Sequence, residues 1–464
     1  MTRPTQYKLL ILVAAGCLIA ATSQHPGLRN IATKAYSPPV MDAQVFNNLW
    51  RSWDAESRSA AEKADARTRR QMIFDRYGFL EAPYDNGGVP LGLTVTKDGH
   101  YALNCLVCHA GSVGGKTILG LPSKAMDFSG LFEDMAATYS ILHQGKPGNP
   151  PFPEGLLFLH GGKAPPKVEF PEGLLSGSRG NYNSFTFSVY FMAMRDRELS
   201  LAPKPQDLKP LNHYLDAPPL WNTAKKTALY YDGFVRKSVR PLMQFSLDPS
   251  FNGALFRSWE ADYQQIYDWV NTLESPHYEG ELNRTLAAQG EKVYTQTCQG
   301  CHGAAGRGGD YRNIVVPIDV VKTDRARLDG LSPEFKQHFN QSWMGSFGEA
   351  KIAPRAEGYV APPLDGVWAT APYFHNGSVP TLYHVLFPDE RPQVWKVTSY
   401  NAYDHTRAGL SIAEYGQMPN VNSLSEKRRY YDSSRPTMSN TGHRFADVLT
   451  RAQRISLLEY LKSI

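Results

Sequence analysis

LNRTLAAQGEKVYTQTCQGCHG, residues 282–303, reads as a helix that delivers two cysteines and a histidine to its end. Leu286, Val293 and Tyr294 lie along it as apolar positions, and Cys298-Gln-Gly-Cys301-His302 closes it. C-x-x-C followed directly by His is the attachment pattern of c-type haem. Its logic is geometric. The two thiols add across vinyl groups on one edge of the porphyrin, and the next residue then lies beneath the ring with its imidazole on the iron. The pattern occurs once more, as Cys105-Leu-Val-Cys108-His109.

Other uses of paired cysteines fit less well. A disulfide or a redox dithiol does not require histidine at the next position, and here histidine stands there twice. A single four-cysteine zinc site would make both histidines accidental. Cys17 is the fifth and last cysteine, so no other cysteine lies outside the two motifs. The expected cofactors are therefore two covalently bound c-type haems, on Cys105, Cys108 and His109 and on Cys298, Cys301 and His302.

Working outward from the motifs, 193 residues separate Cys108 from Cys301. A minimal cytochrome c domain needs about half of that, so the motifs belong to separate haem domains with insertions. The expected fold is mainly α: two class I cytochrome c-like haem domains with long loop-rich insertions. The C-terminal domain is expected over 281–464 and the N-terminal one over 95–280. Residues 22–94 are a helical lead-in, charged and poor in breakers over 43–80. Stretches rich in Pro and Gly over 144–175, and a Pro cluster over 196–220, read as loop. No internal repeat stands out beyond the motif. At the chain's end Thr450 and Gln453 have capping-box spacing, and Ile455, Leu458, Leu461 and Ile464 recur on one helical stripe. A cytochrome c domain packs its first and last helices together beside the haem.

The bulk composition excludes little but agrees. The chain has 464 residues, 42% of them hydrophobic, enough for substantial cores. With 49 basic against 44 acidic residues, the charge argues for neither nucleic acid nor strong membrane-surface binding. At the N-terminus Arg3 and Lys8 precede the apolar run Leu9–Ala21, which is short for a membrane span. It matches a secretory signal over residues 1–21, with a small-x-small site at Ala21-Thr22-Ser23. A second reading is open: Ala14-Ala15-Gly16-Cys17 loosely resembles a lipobox, which would anchor the chain by lipid through Cys17. The first reading makes the protein periplasmic or secreted, and membrane contact follows only from the second. Export agrees with c-type haem, which bacteria attach outside the cytoplasmic membrane.

The segment APPLDGVWATAPYFHNGSVPTLYHVLF, residues 361–387, resembles the P-x-L to P-Y-x-H-x-G to T-L block of the bacterial dihaem cytochrome c peroxidase superfamily. That superfamily includes peroxidases, methylamine-utilisation enzymes and rubber oxygenases. The first-motif context (103–131), PPLWNTAKKTALYYDG (218–233), TMSNTGHRF (437–445) and the wide haem spacing look closer to the rubber-oxygenase-like branch. The resemblance implies a division of labour. The C-terminal haem, closed by two protein ligands, moves electrons; the haem of His109 has an open or openable face where peroxide or dioxygen is activated. Peroxidases of the superfamily usually give the C-terminal haem a Met just after this block, but LYHVLFPDERP contains none. The resemblance instead implies His443 as the distal ligand opposite His302, with Met438 and Met418 as runners-up. A surface loop histidine is the plain alternative for His443.

His375 reads either as a residue near the haem edge or as a histidine holding its loop, and Asn376-Gly377 as a tight turn. The distal residue of the first haem is not visible. His143 and His160 fall in the right region but in loop-like sequence. Phe185, Phe187, Tyr190 and Phe191 could wall an apolar pocket or be plain core. Trp221 is implied by the resemblance as an electron relay. Related enzymes hold Ca2+ between domains, and no acidic loop pattern here argues for one. The expected activity is electron transfer coupled to peroxide reduction. The rivals are a dioxygenase cleaving an apolar unsaturated substrate and a pure electron carrier. The expected partners are a small electron-donor protein or quinol-linked cytochrome and H2O2 or O2.

Overall fold

The computed structural model describes residues 25–143, 177–182, 184–209, 213–248, 250–306, 309–352 and 357–464. The expected leader, Cys17 and His160 lie outside them, as does the side chain of Phe187.

The decisive helix forms as its sequence requires. Asn283 caps it by accepting from the Leu286 amide, and it runs Arg284–Thr297 into the one-turn helix Gln299–His302. The chain's last helix, Arg451–Ser463, begins with the expected capping box, Thr450 and Gln453 each bonding the other's backbone. Its buried apolar face is Leu457, Leu458 and Leu461, while Ile455 and Ile464 lie at its margin. The two helices cross at Gly290. A Cβ there would stand 2.0 Å from the Ser456 carbonyl oxygen, so only glycine permits this approach. Tyr294 and Tyr460 fill the space beside the crossing, with ring centroids 5.2 Å apart.

The first motif is framed differently. The strand His100–Leu103 runs almost into Cys105. It pairs on one side with Pro39–Asp42 and on the other with Leu93–Val95. The helices before it are capped by Asp54 and Asp65, which accept from the Ser57 and Thr68 amides. Pro26–Thr33 packs on the distant helix Glu260–Val270, where a Cβ on Gly27 would meet the Gln265 carbonyl at 2.1 Å.

With 43% helix and 13% strand, the fold is mixed rather than mainly α. The described strands are short and form sheets of no more than three. The stretch over 144–175 that reads as loop lies outside the described residues, and the described part of the Pro cluster over 196–220 forms the two-residue strand Leu215–Asp216 and otherwise irregular chain. The apolar interior also crosses the chain order. Leu331, Phe335, Phe339, Trp343 and Met344 follow the second motif in sequence. They nonetheless pack in one cluster with Leu106 and Ala110 of the first motif and with Phe185 and Phe234.

Candidate haem sites

Each motif folds as a single helical turn. At the first, the Asn104 side chain accepts from the Leu106 amide, and the His109 amide bonds Cys105 O at 3.1 Å. At the second, the His302 amide bonds Cys298 O at 3.0 Å. One turn brings both sulfurs and the imidazole to one side, as attachment to a single porphyrin edge demands. Gly92 allows the first turn to seat, since a Cβ there would lie 2.6 Å from Val107 Cα.

Both histidines are oriented by the same device. His109 Nδ1 lies 3.1 Å from the carbonyl oxygen of Pro218, and His302 Nδ1 lies 2.8 Å from that of Pro362. A carbonyl can only accept, so each proton belongs on Nδ1, and Nε2 keeps its lone pair for a metal. Burial supports the neutral form, pulling His109 down to about 4 and His302 downward as well. The two prolines stand second in identical tetrapeptides, Ala217-Pro218-Pro219-Leu220 and Ala361-Pro362-Pro363-Leu364. This is a second internal repeat, which the sequence reading passed over. It was legible, because A-P-P-L occurs once after each motif, each time before a tryptophan.

The motif cysteines are unpaired thiols in the structure. Burial pushes Cys105 up to about 11, Cys108 to about 12 and Cys298 to about 11. Among the described residues no group of three or more His, Cys, Asp or Glu side chains could hold a metal ion. Between the two halves the Lys124 ammonium bonds Ala369 O at 2.6 Å, next to buried Asp216.

Opposite His302 stands His443, with ring centroids 6.2 Å apart. An imidazole nitrogen binds a transition metal at about 2 Å, so two rings sharing one ion have centroids roughly 6.3 Å apart. His443 is held by its backbone. Its amide bonds Val321 O at 2.7 Å, its φ is +50°, and Gly442 before it presses on Lys322 at φ +78°. Arg391 pins the same loop by donating to Asn440 O and Gly442 O. The buried Nδ1 of His443 has no hydrogen-bond partner among the described residues. Burial and the neighbouring His302 and Arg391 hold this imidazole down to about 3, neutral and able to ligate. Met438 is fully buried in the C-terminal core, and Met418 is half-buried beyond the strand Ile412–Tyr415. Among the described residues no second imidazole ring pairs with His109 in this way.

The remaining candidates separate. His143 ends the helix Phe128–Leu142, stacked on Tyr139 at 4.0 Å with its Nδ1 on the Tyr139 carbonyl, a helix-end role. His375 is a loop-holding residue: Nε2 is 3.2 Å from Tyr359 OH, the rings stack at 4.3 Å, and its carbonyl accepts from Asp216 N. Phe185 and Phe191 are buried in the cluster that contains Leu106 and Ala110, and Tyr190 is half-buried. Trp221 joins the two proximal segments. Its Nε1 donates to Asp365 O at 2.8 Å, and neighbouring Asn222 donates to Pro363 O at 3.0 Å. Lys225 and Asp365 close the junction with an ion pair at 2.6 Å, only 9% and 13% exposed.

Two family models match within the C-terminal half. Residues 285–348 match the family described as cytochrome C oxidase, cbb3-type, subunit III. Residues 358–396, with Pro362 and His375, match the family described as RoxA-like, cytochrome c-like. The chain is similar to two uncharacterized proteins of Sinorhizobium fredii (strain NBRC 101917 / NGR234). It is 26% identical to y4iM over 51% of this chain and 27% identical to y4iJ over 40% of it. The matches span 58% and 40% of those relatives' own lengths. The chain thus carries cytochrome c-like domains, and with them covalently bound c-type haem suited to electron transfer.

Proposed function

We propose that the protein is an exported two-haem c-type cytochrome, in which the His302 haem passes electrons and the His109 haem reduces peroxide. The observation that carries this reading is the asymmetry of the two sites: the same Pro-held histidine in both, but a facing histidine, His443, at the second. A six-coordinate iron relays electrons with little rearrangement, whereas substrate needs a free position. Bound haem supplies the redox chemistry, and the protein supplies ligation, orientation and burial. The Pro218 and Pro362 carbonyls keep each proximal proton on Nδ1. Trp221, bonded across the junction of the two proximal segments, is the relay between them. Donation from a small electron-carrier protein or a quinol-linked cytochrome completes the cycle. Export places the protein in the periplasm or outside the cell, with lipid anchoring through Cys17 as the alternative.

A dioxygenase acting on an apolar unsaturated substrate is the second reading. It is favoured by the match over 358–396 and by the aromatic wall of Phe185, Tyr230 and Phe234 near the first motif. Low-temperature EPR of the oxidised protein, with haem counted as pyridine haemochrome, tests the reading. Two haems, one high-spin and one low-spin, are expected. Two low-spin signals that persist on half-reduction would make it a pure carrier. Peroxide consumption that depends on a reduced donor separates the peroxidase from an oxygenase, which consumes O2 with a polyisoprene-like substrate and needs no donor.

A further inference from the structure

A charged cluster is sealed inside the protein where the two proximal segments meet. The side chains of Arg327 and Asp232 are fully buried and pair through Nη2 and Oδ1 at 2.9 Å. That bond uses one of five guanidinium N–H groups. Arg327 Nε and Nη1 are buried with no hydrogen-bond partner among the described residues, and so is Asp232 Oδ2. One face of the guanidinium lies 3.7 Å from the Phe185 ring centroid. Lys336, on the helix Pro333–Gln341, is 1% exposed and has neither hydrogen bond nor ion pair through its side chain among the described residues. Burial pulls its pKa down, and the charges acting on it are those of Asp232 and Arg327.

Two buried cations therefore answer to one buried carboxylate. The other titratable groups nearby do not balance them: burial raises Asp216 well above the ordinary carboxylate range, and the cation acting on it is Lys124. His375 is neutral, held to about 3 by burial and by His213 and Arg327. Asp324 and Asp329 act on adjoining Tyr359, but Asp329 is engaged by Arg325. The Asp324 oxygens accept from the Ala326 and Ser439 amides. A guanidinium stays charged wherever it is placed, and buried charge is stable only when paired and fully hydrogen-bonded. The protein alone does not meet that condition here.

The place of the cluster says what would. Tyr231, next to Asp232, donates its hydroxyl to Asp216 O at 3.0 Å and accepts the Val360 amide at 2.7 Å. Asp216 and Val360 stand two residues before Pro218 and Pro362, the carbonyls that orient His109 and His302. We infer that Arg327, Lys336 and Asp232 form a binding site for a carboxylate, and that the carboxylate it is built for is a haem propionate. This rests on the proposal that both motifs carry haem. A small diffusible carboxylate is the other source of the same chemistry.

The test uses the haem-loaded protein, with haem counted in each variant, and reads midpoint potentials by optical titration and propionate modes by resonance Raman. Ferric haem carries one positive charge more than ferrous, so removing a nearby cation favours the ferric form. Arg327→Gln and Lys336→Met should lower the potential of at least one haem, Asp232→Asn should raise it, and Arg327→Lys should restore part of it. Lys336→Met removes an unpaired buried charge and is the variant expected to fold normally. Propionate modes that shift in the variants, with no dependence on added acetate, identify the propionate. A saturable acetate dependence in the wild type, lost in Arg327→Gln, identifies a diffusible carboxylate and overturns the propionate assignment. Unmoved potentials and modes in Lys336→Met and Arg327→Gln, without acetate dependence, overturn the site. A haem count of one would instead overturn the two-haem reading, and the same shifts are then read on the remaining haem.

Discussion

The two motif regions share a proximal side and differ in everything opposite it. Both are one-turn C-x-x-C-H helices, and both set histidine Nδ1 on the first proline of an A-P-P-L tetrapeptide. The second is built at the crossing of two helices and faced by His443 at 6.2 Å. The first is fed by a strand of a three-stranded sheet, and its Leu106 belongs to an apolar cluster that draws aromatic residues from both halves of the chain. The difference teaches that the proximal side is a short module that can be duplicated. The distal side, and with it reactivity, is supplied by distant segments that need not be alike.

The comparison can be broken most decisively at His443. In His443→Ala the low-spin ferric signal of the second haem should convert to high-spin, making the two sites alike. An unchanged EPR spectrum would remove the proposed asymmetry. Next in size is the junction. Asp365→Ala leaves the largely buried Lys225 unpaired, and breaking such a pair by removing one partner costs about 3 kcal/mol. Urea unfolding should show both haem regions losing stability together; loss at the second alone would mean that the two unfold separately. Gly290→Val drives a side chain against the Ser456 carbonyl and should cost about 3 kcal/mol. Soret changes reporting the second haem should respond first.

Smaller effects sharpen the picture. Trp221→Phe removes one hydrogen bond, worth about 1 kcal/mol. Its stronger signature should be slower reduction of the first haem after rapid reduction of the second, seen by stopped flow. Equal rates would take the relay role away from Trp221. The smallest effect is a pH dependence peculiar to the first proximal segment. Burial pulls Lys226 down to about 8. Between about pH 8 and the ordinary lysine value near 10.4, the unfolded chain keeps a proton that the folded one has shed. Stability contributed by this group therefore rises with pH across that window. Lys226→Met should flatten the rise in urea midpoints between pH 7 and 9.5. The matching segment after Pro362, Val367–Ala369, carries no charged group and offers no counterpart.

Much of the site was legible in local pattern. The motifs, the capped helix before the second, the capping box of the last helix and the Ala-Pro-Pro-Leu repeat are all set by residues within a few positions of one another. His375 shows where such reading stops: a recognisable block located the residue, but only its contacts with Tyr359 and Asp216 made it a loop-holding histidine. Arg327 and Lys336 gave no local sign, since a helix-borne arginine and lysine ordinarily read as solvated face.

The sequence by itself determined the chemistry of attachment, because two thiols and an imidazole within five residues can meet one porphyrin edge without help from the rest of the chain. It also determined that the helices Arg284–Thr297 and Arg451–Ser463 form, through their caps and apolar stripes. The tertiary structure alone decided that His443 stands across from His302, and that the Pro218 and Pro362 carbonyls orient the two proximal rings. It likewise carried residues 326–352 back onto the first motif. These contacts join positions 60 to more than 200 residues apart, and their free energy comes from burying apolar surface collectively. No short stretch can encode such a contact, because its partner is chosen by the packing of the whole molecule.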